Sequence, residues 1–335
     1  MASSPIRIGL LGVGHLGKIH LKLLKEVSDF QLVGFFDPNP EVAKTVSDQF
    51  DIKAFSDFEA LLDEVDAVDI VAPTTQHFEC AKRSLQRGKH LFVEKPVTQT
   101  LEEAEGLIKL HHQYSDLKFQ VGHVERFNPA FLAVQDRELT PMFIEGHRLA
   151  MYNPRGTDVS VVLDLMIHDL DVVLSMVDSP VREISASGVA VVSDSPDIAN
   201  ARIEFENGCV ANLTASRISI KNMRRLRFFQ RNTYLAVDFL QKQAEVFRLS
   251  DAPEEAAPMK FEFNNGKKTQ WLVFEQPEVK EVNSIKMELE EFGKSILTDA
   301  PIRVGLNAGY QALRVAHEIV DRIQEGFDRV AANNQ

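Results

Sequence analysis

Three groups of residues have types and spacings that could do chemistry. The first is Gly12-Val13-Gly14-His15-Leu16-Gly17, a G-x-G-x-x-G run. In such a run the first glycine permits a tight turn and the second lets a pyrophosphate approach the backbone. The third lets a helix pack closely on a strand. The unpaired N–H groups where that helix starts, around His15 and Leu16, face an anion. Asp37 stands 20 residues after Gly17. A carboxylate there accepts hydrogen bonds from ribose hydroxyls and repels a 2′-phosphate, so NAD is favoured over NADP.

The second group is Glu94-Lys95-Pro96. Pro96 restricts Lys95 to extended geometry. A lysine held at a strand end, partly desolvated beside a nicotinamide, can orient a sugar hydroxyl or exchange its proton. A surface ion pair with Glu94 is the plainer alternative. The third group is Asp164-Leu165-Met166-Ile167-His168-Asp169-Leu170-Asp171. On a helix Asp164 and His168 are one turn apart, and Asp171 extends the same face. A carboxylate in that position fixes the tautomer of the imidazole and raises its basicity, which makes a general base for a hydroxyl proton. A helix-surface pair is again the plainer alternative. Aspartate and histidine at this spacing can also ligate zinc, but no cysteine or further histidine is close in sequence, so no metal is expected.

Two further clusters are weaker. His111-His112 reads as solvated surface or as favourable charge at a helix end. Arg224, Arg225, Arg227 and Arg231 form a basic stretch, and strand alternation sends the last three to one face. That face is either a solvated or interface surface or a contact for an anionic substrate such as a nucleotide pyrophosphate.

These groups need elements to hold them. Up to about residue 125, short apolar runs alternate with amphipathic stretches, the pattern of a parallel sheet wrapped by helices. Strands are predicted at 6–11, 31–36, 52–55, 67–72, 90–93 and 119–124. Ser56 with Glu59, and Thr100 with Glu103, read as capping boxes. In open parallel sheets ligands bind beyond the carboxyl ends of the strands. The glycine turn, Asp37, Thr74 with His77, Glu94-Lys95 and His123 with Arg126 therefore converge on one edge. Beyond Pro129 a short helix to about residue 136 precedes mainly β-like runs, at 143–151, 183–192, 201–205, 209–219, 225–231, 234–239, 244–249 and 271–274. One helix interrupts them, at 160–177. Asn207-Gly208 marks a hairpin, residues 251–258 read as a loop, and helices at 282–297 and 306–326 close the chain. Strands adjacent in sequence predict a largely antiparallel sheet.

At 335 residues two domains are expected, with boundaries at 1–125 and 126–335 and a C-terminal helix able to pack back on the first domain. The net charge of −12 argues against nucleic acid or an anionic membrane as the general partner. Cys80 and Cys209 make no disulfide framework and read as packing residues. With no signal peptide or membrane-length apolar run in view, a cytoplasmic setting is expected.

Glu94-Lys95-Pro96 resembles the E-K-P motif of the glucose–fructose oxidoreductase / inositol dehydrogenase / rhizopine-catabolism family of NAD(P)-dependent sugar oxidoreductases. Asp164 and His168 resemble its second motif, an acid followed four residues later by histidine. The resemblance extends along nearly the whole chain. It implies an α/β protein: an N-terminal Rossmann domain, then an α+β domain whose large, mostly antiparallel open sheet forms a subunit interface in a homodimer or homotetramer. It implies Lys95 and His168 as catalytic residues, with Asp164 assisting. NAD would then contact Gly12, Gly14, His15, Leu16, Gly17, Asp37, Thr74, His77, Glu94 and Lys95. Met166 stands where many members carry glycine, which narrows the expected pocket locally. Residues 121–129, Val-Gly-His-Val-Glu-Arg-Phe-Asn-Pro, resemble the branch of the family that acts on nucleotide-activated amino sugars. That implies oxidation at C3 of a substrate such as UDP-N-acetylglucosamine, leaving a 3-keto sugar for a later transaminase. The candidate substrate contacts are Lys95, His123, Arg126, Asn128, Arg155, Asp164 and His168. The alternatives are a dehydrogenase of a free sugar or inositol, using NAD or NADP, and a regulator that senses a dinucleotide without catalysis.

Overall fold

A computed structural model describes residues 4–153, 159–252, 259–264, 266 and 268–333. The chain divides into two units, residues 1–127 with 282–313 and residues 128–281 with 314–335.

In the first unit, among the described residues, five parallel strands form one sheet. They are β1 (Ile6–Leu11), β2 (Phe30–Phe36), β3 (Ala67–Ile70), β4 (His90–Glu94) and β5 (Phe119–Gly122), in the order β2-β1-β3-β4-β5. The run at 52–55 is not a strand but a single bridge between Phe35 and Ala54. Two backbone bonds, Phe35 N–H to Lys53 O and Phe55 N–H to Phe35 O, exhaust its pairing. Counting that bridge as an outer strand recovers the usual dinucleotide-fold order, with the switch point between β1 and β3.

Helices α1 (His15–Leu24), α2 (Pro40–Phe50), α3 (Phe58–Glu64), α4 (Thr74–Gln86) and α5 (Leu101–His111) link these strands. The α3 cap is Asp57, which accepts Ala60 N–H at 2.8 Å and a bond from the Ser56 hydroxyl, in place of a Ser56–Glu59 box. The Thr100–Glu103 box opening α5 is present. Ile8, Leu10, Phe35 and Phe92 are fully buried in the core. The same core takes Leu289 and Phe292 from α8 (Ser284–Thr298), so this late helix returns to the first unit. Phe292 sits 6.0 Å from both Phe30 and Phe92, ring to ring.

The second unit opens with α6 (Pro129–Leu132), one turn where a longer helix is expected. Among the described residues it has one sheet of nine strands: β6 (Phe143–Leu149), β7 (Val181–Val189), β8 (Ile198–Phe205), β9 (Val210–Ser216), β10 (Met223–Gln230), β11 (Thr233–Asp238), β12 (Gln243–Ser250), β13 (Met259–Asn264) and β14 (Thr269–Glu275). The order is β13-β14-β12-β11-β10-β6-β9-β8-β7. Every pair is antiparallel except β6–β9, which the intervening helix turns parallel. Strand β13 was not visible in the sequence. Burial alternates along β6, β8 and β9, so one sheet face is covered. Helix α7 (Ile167–Met176) packs near β6, and the π turn before it, Val162–Met166, packs near β9. The buried Arg148 of β6 reaches the buried Asp169 of α7 at 2.7 Å. Helix α9 (Leu306–Asn333) ends the described chain.

Candidate active site

The glycine turn joins β1 to α1. A Cβ on Gly17 would lie 2.1 Å from the Gly12 carbonyl oxygen, so only glycine lets the helix start that close to the strand. At Gly14 nothing lies within 4 Å of that point, and the space stays open for a ligand. Helix α1 begins with no side-chain cap, which leaves its first N–H groups available to an anion. Asp37, just past β2, accepts Val13 N–H at 3.0 Å through one oxygen and Asn39 N–H at 3.0 Å through the other. Each carboxylate oxygen has a second lone pair, enough for ribose hydroxyls.

Gly12, Gly14, His15, Leu16, Gly17, Asp37, His77, Glu94 and Lys95 line one cavity of about 600 Å³. Thr74 is not in its lining; Phe36, Phe58, Gln76 and Arg83 are, and the sequence reading missed these. Arg83 is ion-paired with Glu59, so its charge is offset. An unpaired helix start, a carboxylate at the end of β2, apolar walls and a half-buried lysine fit a dinucleotide. The α1 start would hold its pyrophosphate, Asp37 a ribose, and the Lys95 end its nicotinamide.

His77 is fully buried. Its Nδ1 lies 2.8 Å from Pro96 O and its Nε2 2.8 Å from Ala72 O, so it staples the end of β3 to the Lys95 turn. Burial lowers its pKa despite the two carbonyls. Lys95 follows β4, and its backbone N–H donates to Glu94 Oε2 at 3.2 Å. Glu94 pairs in register with Gly122, which places the buried His123 next to Lys95 on the neighbouring strand end. Arg126 lies in the following 3₁₀ turn, where its carbonyl accepts Arg303 Nη2 at 3.1 Å.

Behind Glu94 stands a group that the sequence reading missed. His20 Nδ1 is 2.8 Å from Asp69 Oδ2, and His20 Nε2 is 3.2 Å from Glu94 Oε1. One ligand-type atom each from His20, Glu94 and Glu288 lie within 4.8 Å of one another. Burial would lower the His20 pKa, but the two carboxylates outweigh it and raise it well above the usual value. Burial raises Asp69. Burial also opposes ionisation of Glu94, but bonding to His20 holds its pKa down. Burial and the Glu94 charge push Glu288 well up. Two signals were present in sequence: Asp69 is the only charge in β3, and Glu288 lies on the apolar face of α8 with Leu289 and Phe292.

In the second unit Asp164 is exposed in the π turn, and the half-buried His168 opens α7 one turn later. Asp171 is buried. Met166 is fully buried, so it packs in the core and does not narrow an open pocket. Asn128 caps α6 by accepting Ala130 N–H at 3.1 Å and donates to Phe239 O at 3.0 Å. Arg155 lies outside the described residues. In the basic stretch Arg225 pairs with Glu245 at 2.9 Å and Arg227 with Glu145, so both serve cross-strand ion pairs on a sheet face. Arg231 is exposed beyond β10. His111 is no solvated side chain, since its Nε2 meets Leu117 O at 2.8 Å.

A dinucleotide cavity at the switch edge of one unit, with a large open sheet in the other, defines an NAD-binding oxidoreductase. The chain belongs to the Gfo/Idh/MocA family. Residues 6–123 match the model described as "Oxidoreductase family, NAD-binding Rossmann fold" and residues 142–232 match the "GFO/IDH/MocA C-terminal domain". UDP-N-acetylglucosamine 3-dehydrogenase of Acidithiobacillus ferrooxidans is 36% identical over 94% of this chain and 96% of its own. A solved structure of that enzyme matches with a TM-score of 0.86 at 34% identity, covering 96% of this chain and 99% of the other. The scyllo-inositol 2-dehydrogenase (NAD(+)) of Bacillus subtilis is 30% identical over 64% of this chain and 68% of its own. The scyllo-inositol dehydrogenase of Lactobacillus casei, solved with NAD(H) and scyllo-inositol, shares the fold at a TM-score of 0.77 and 20% identity, covering 96% and 98%. Among the described residues no helix is long and apolar enough to cross a membrane.

Proposed function

We propose that this chain is an NAD-dependent dehydrogenase that oxidises the C3 hydroxyl of UDP-N-acetylglucosamine, or of a nucleotide-activated amino sugar of that kind, to a ketone. The observation that carries the substrate is the likeness to the A. ferrooxidans enzyme across 94% of the chain. Asp37 at the end of β2 supports NAD over NADP.

NAD, when bound, supplies a hydride acceptor. The residues of the chain manage the proton and the geometry. The Lys95 ammonium orients the reacting hydroxyl oxygen. The His168 imidazole takes the hydroxyl proton while the C–H electron pair leaves as hydride and the C=O bond forms. Asp164 holds the imidazole in the tautomer that can accept. Asp171 backs the same helix. His123, Arg126 and Arg155 serve the sugar and its diphosphate. If the diphosphate is required, its removal abolishes turnover; equal activity on free N-acetylglucosamine would exclude this substrate.

A second reading, a free-sugar or inositol dehydrogenase, is favoured by the likeness to the B. subtilis enzyme. We further propose a homodimer or homotetramer assembled through the second unit's sheet. One face carries a ladder of half-buried rings, with Phe229, Tyr234, Phe247 and Phe274 at successive centroid spacings of 5.0, 5.5 and 4.6 Å. Such a face calls for a cover. Light scattering at working concentration tests this, and a monomer would contradict it.

A further inference from the structure

Four titratable side chains in the first unit take no part in the chemistry proposed above. They come from four elements: His20 from α1, Asp69 from β3, Glu94 from β4 and Glu288 from α8. His20, Asp69 and Glu288 are fully buried and Glu94 nearly so. A core of this kind takes charge only where charges are paired and hydrogen-bonded. The distances describe a chain. Asp69 is hydrogen-bonded to one ring nitrogen of His20, the other lies at ion-pair distance, 3.2 Å, from Glu94 Oε1 without hydrogen-bond geometry, and the second oxygen of Glu94 accepts Lys95 N–H. Gly122 makes room for it, since a Cβ there would lie 2.8 Å from Glu94 Oε1. Neither carboxyl oxygen of Glu288 has a hydrogen-bond partner, while its carbonyl accepts Gln120 Nε2 at 2.7 Å.

We propose that His20 is a positioning residue for Lys95: clamped by Asp69, its imidazolium holds the Glu94 carboxylate in place, and Glu94 in turn holds the backbone that carries the Lys95 ammonium. The inference rests on the reading of Lys95 as a catalytic residue. Without the cation at His20, Glu94 is a buried carboxylate that faces Asp69 and Glu288 with only Lys95 to offset it, so its pKa rises towards protonation. Protonation weakens its charge-assisted hold on Lys95 N–H and removes its negative charge beside Lys95. The titratable groups facing His20 are Asp69, Glu94 and Glu288; β1 and β2 turn apolar residues such as Ile8, Leu10 and Phe35 to this core. Glu288 fits as a neutral acid, because a third ionised carboxylate would leave the cluster with two uncompensated charges. The same donors could instead hold a divalent cation, which would require Glu288 to ionise.

The test uses the full-length enzyme with His20→Asn, His20→Gln, Glu94→Gln, Glu288→Gln and, as reference, Lys95→Ala. An asparagine amide reaches Asp69 but not Glu94, whereas a glutamine amide reaches the place of Nε2. His20→Asn is expected to lower kcat about tenfold or more while the Kd for NADH and KM stay within about threefold. His20→Gln should recover part of kcat, and both should displace the alkaline limb of the pH–kcat profile, where wild-type His20 loses its proton. Glu94→Gln keeps the side-chain volume and should reproduce the loss of kcat if the His20 variants fail to fold. Glu288→Gln replaces a neutral acid by an amide and should stay within about twofold of wild type. Wild-type kcat and pH profile in both His20 variants, with Lys95→Ala impaired, would overturn the inference alone. A wild-type rate in Lys95→Ala would overturn it together with the role given to Lys95. Stoichiometric divalent metal in the wild-type protein that disappears in Glu288→Gln would overturn it in favour of a metal site.

Discussion

The Val13 N–H donates to the Asp37 carboxylate at 3.0 Å, across 24 residues of sequence. The acid proposed to bind a ribose therefore also fixes the turn proposed to bind the pyrophosphate. Asp37→Ala should weaken NAD by about tenfold or more, roughly 1.4 kcal/mol for each factor of ten, and should narrow the preference over NADP. Ratios of kcat/KM for the two cofactors measure this, and an unchanged ratio would remove Asp37 from the discrimination.

Lys95→Ala and His168→Ala should each lower the rate by about 10²–10⁴-fold, the usual size of a lost acid–base group. Single-turnover kinetics at saturating cofactor separate this from binding. Wild-type-like rates in both variants would refute the assigned roles.

The glycines of the turn should separate by mechanism. Gly17→Ala places a methyl 2.1 Å from backbone, so the protein should lose stability by several kcal/mol, or about that of a severe overpacking. Gly14→Ala meets nothing within 4 Å, so its Tm should match wild type while the Kd for NADH rises. Equal effects on Tm and Kd in the two variants would contradict this division.

Asp197, between β7 and β8, is fully buried and accepts the N–H groups of Val191, Val192 and Ser193 and the Ser193 hydroxyl. Burial alone would raise its pKa, but these donors together bring it down to about 2. A folded-state pKa below the unfolded value adds stability that is present above the unfolded value and is lost as pH falls through the folded one. Wild type should therefore lose about 2 kcal/mol between roughly pH 4 and pH 2 that Asp197→Asn never has. Denaturant midpoints across that range measure it, and parallel curves would contradict it.

The cofactor edge was legible because glycine spacing encodes backbone geometry directly, and because strand ends can be read from apolar runs. Lys95 and Asp37 followed from those ends. The cluster of His20, Asp69, Glu94 and Glu288 was not legible, since each member lies on a different element and gains its meaning only when the sheet brings them together. That a C-terminal helix packs back on the first domain was expected, but the sequence did not say which: the apolar stripe of α8 with Leu289 and Phe292 shows only that the helix packs. The run at 52–55 had strand composition but was too short to ladder, and the β6–β9 pairing was parallel because a helix and two strands separate the partners.

The central claim is tested most directly by following NADH formation with purified protein, NAD and UDP-N-acetylglucosamine, with a coupled transaminase to remove the keto product. Turnover on the nucleotide sugar and none on free N-acetylglucosamine or inositol is the predicted result. No turnover on the nucleotide sugar, or equal turnover on the free sugar or inositol, would contradict the account.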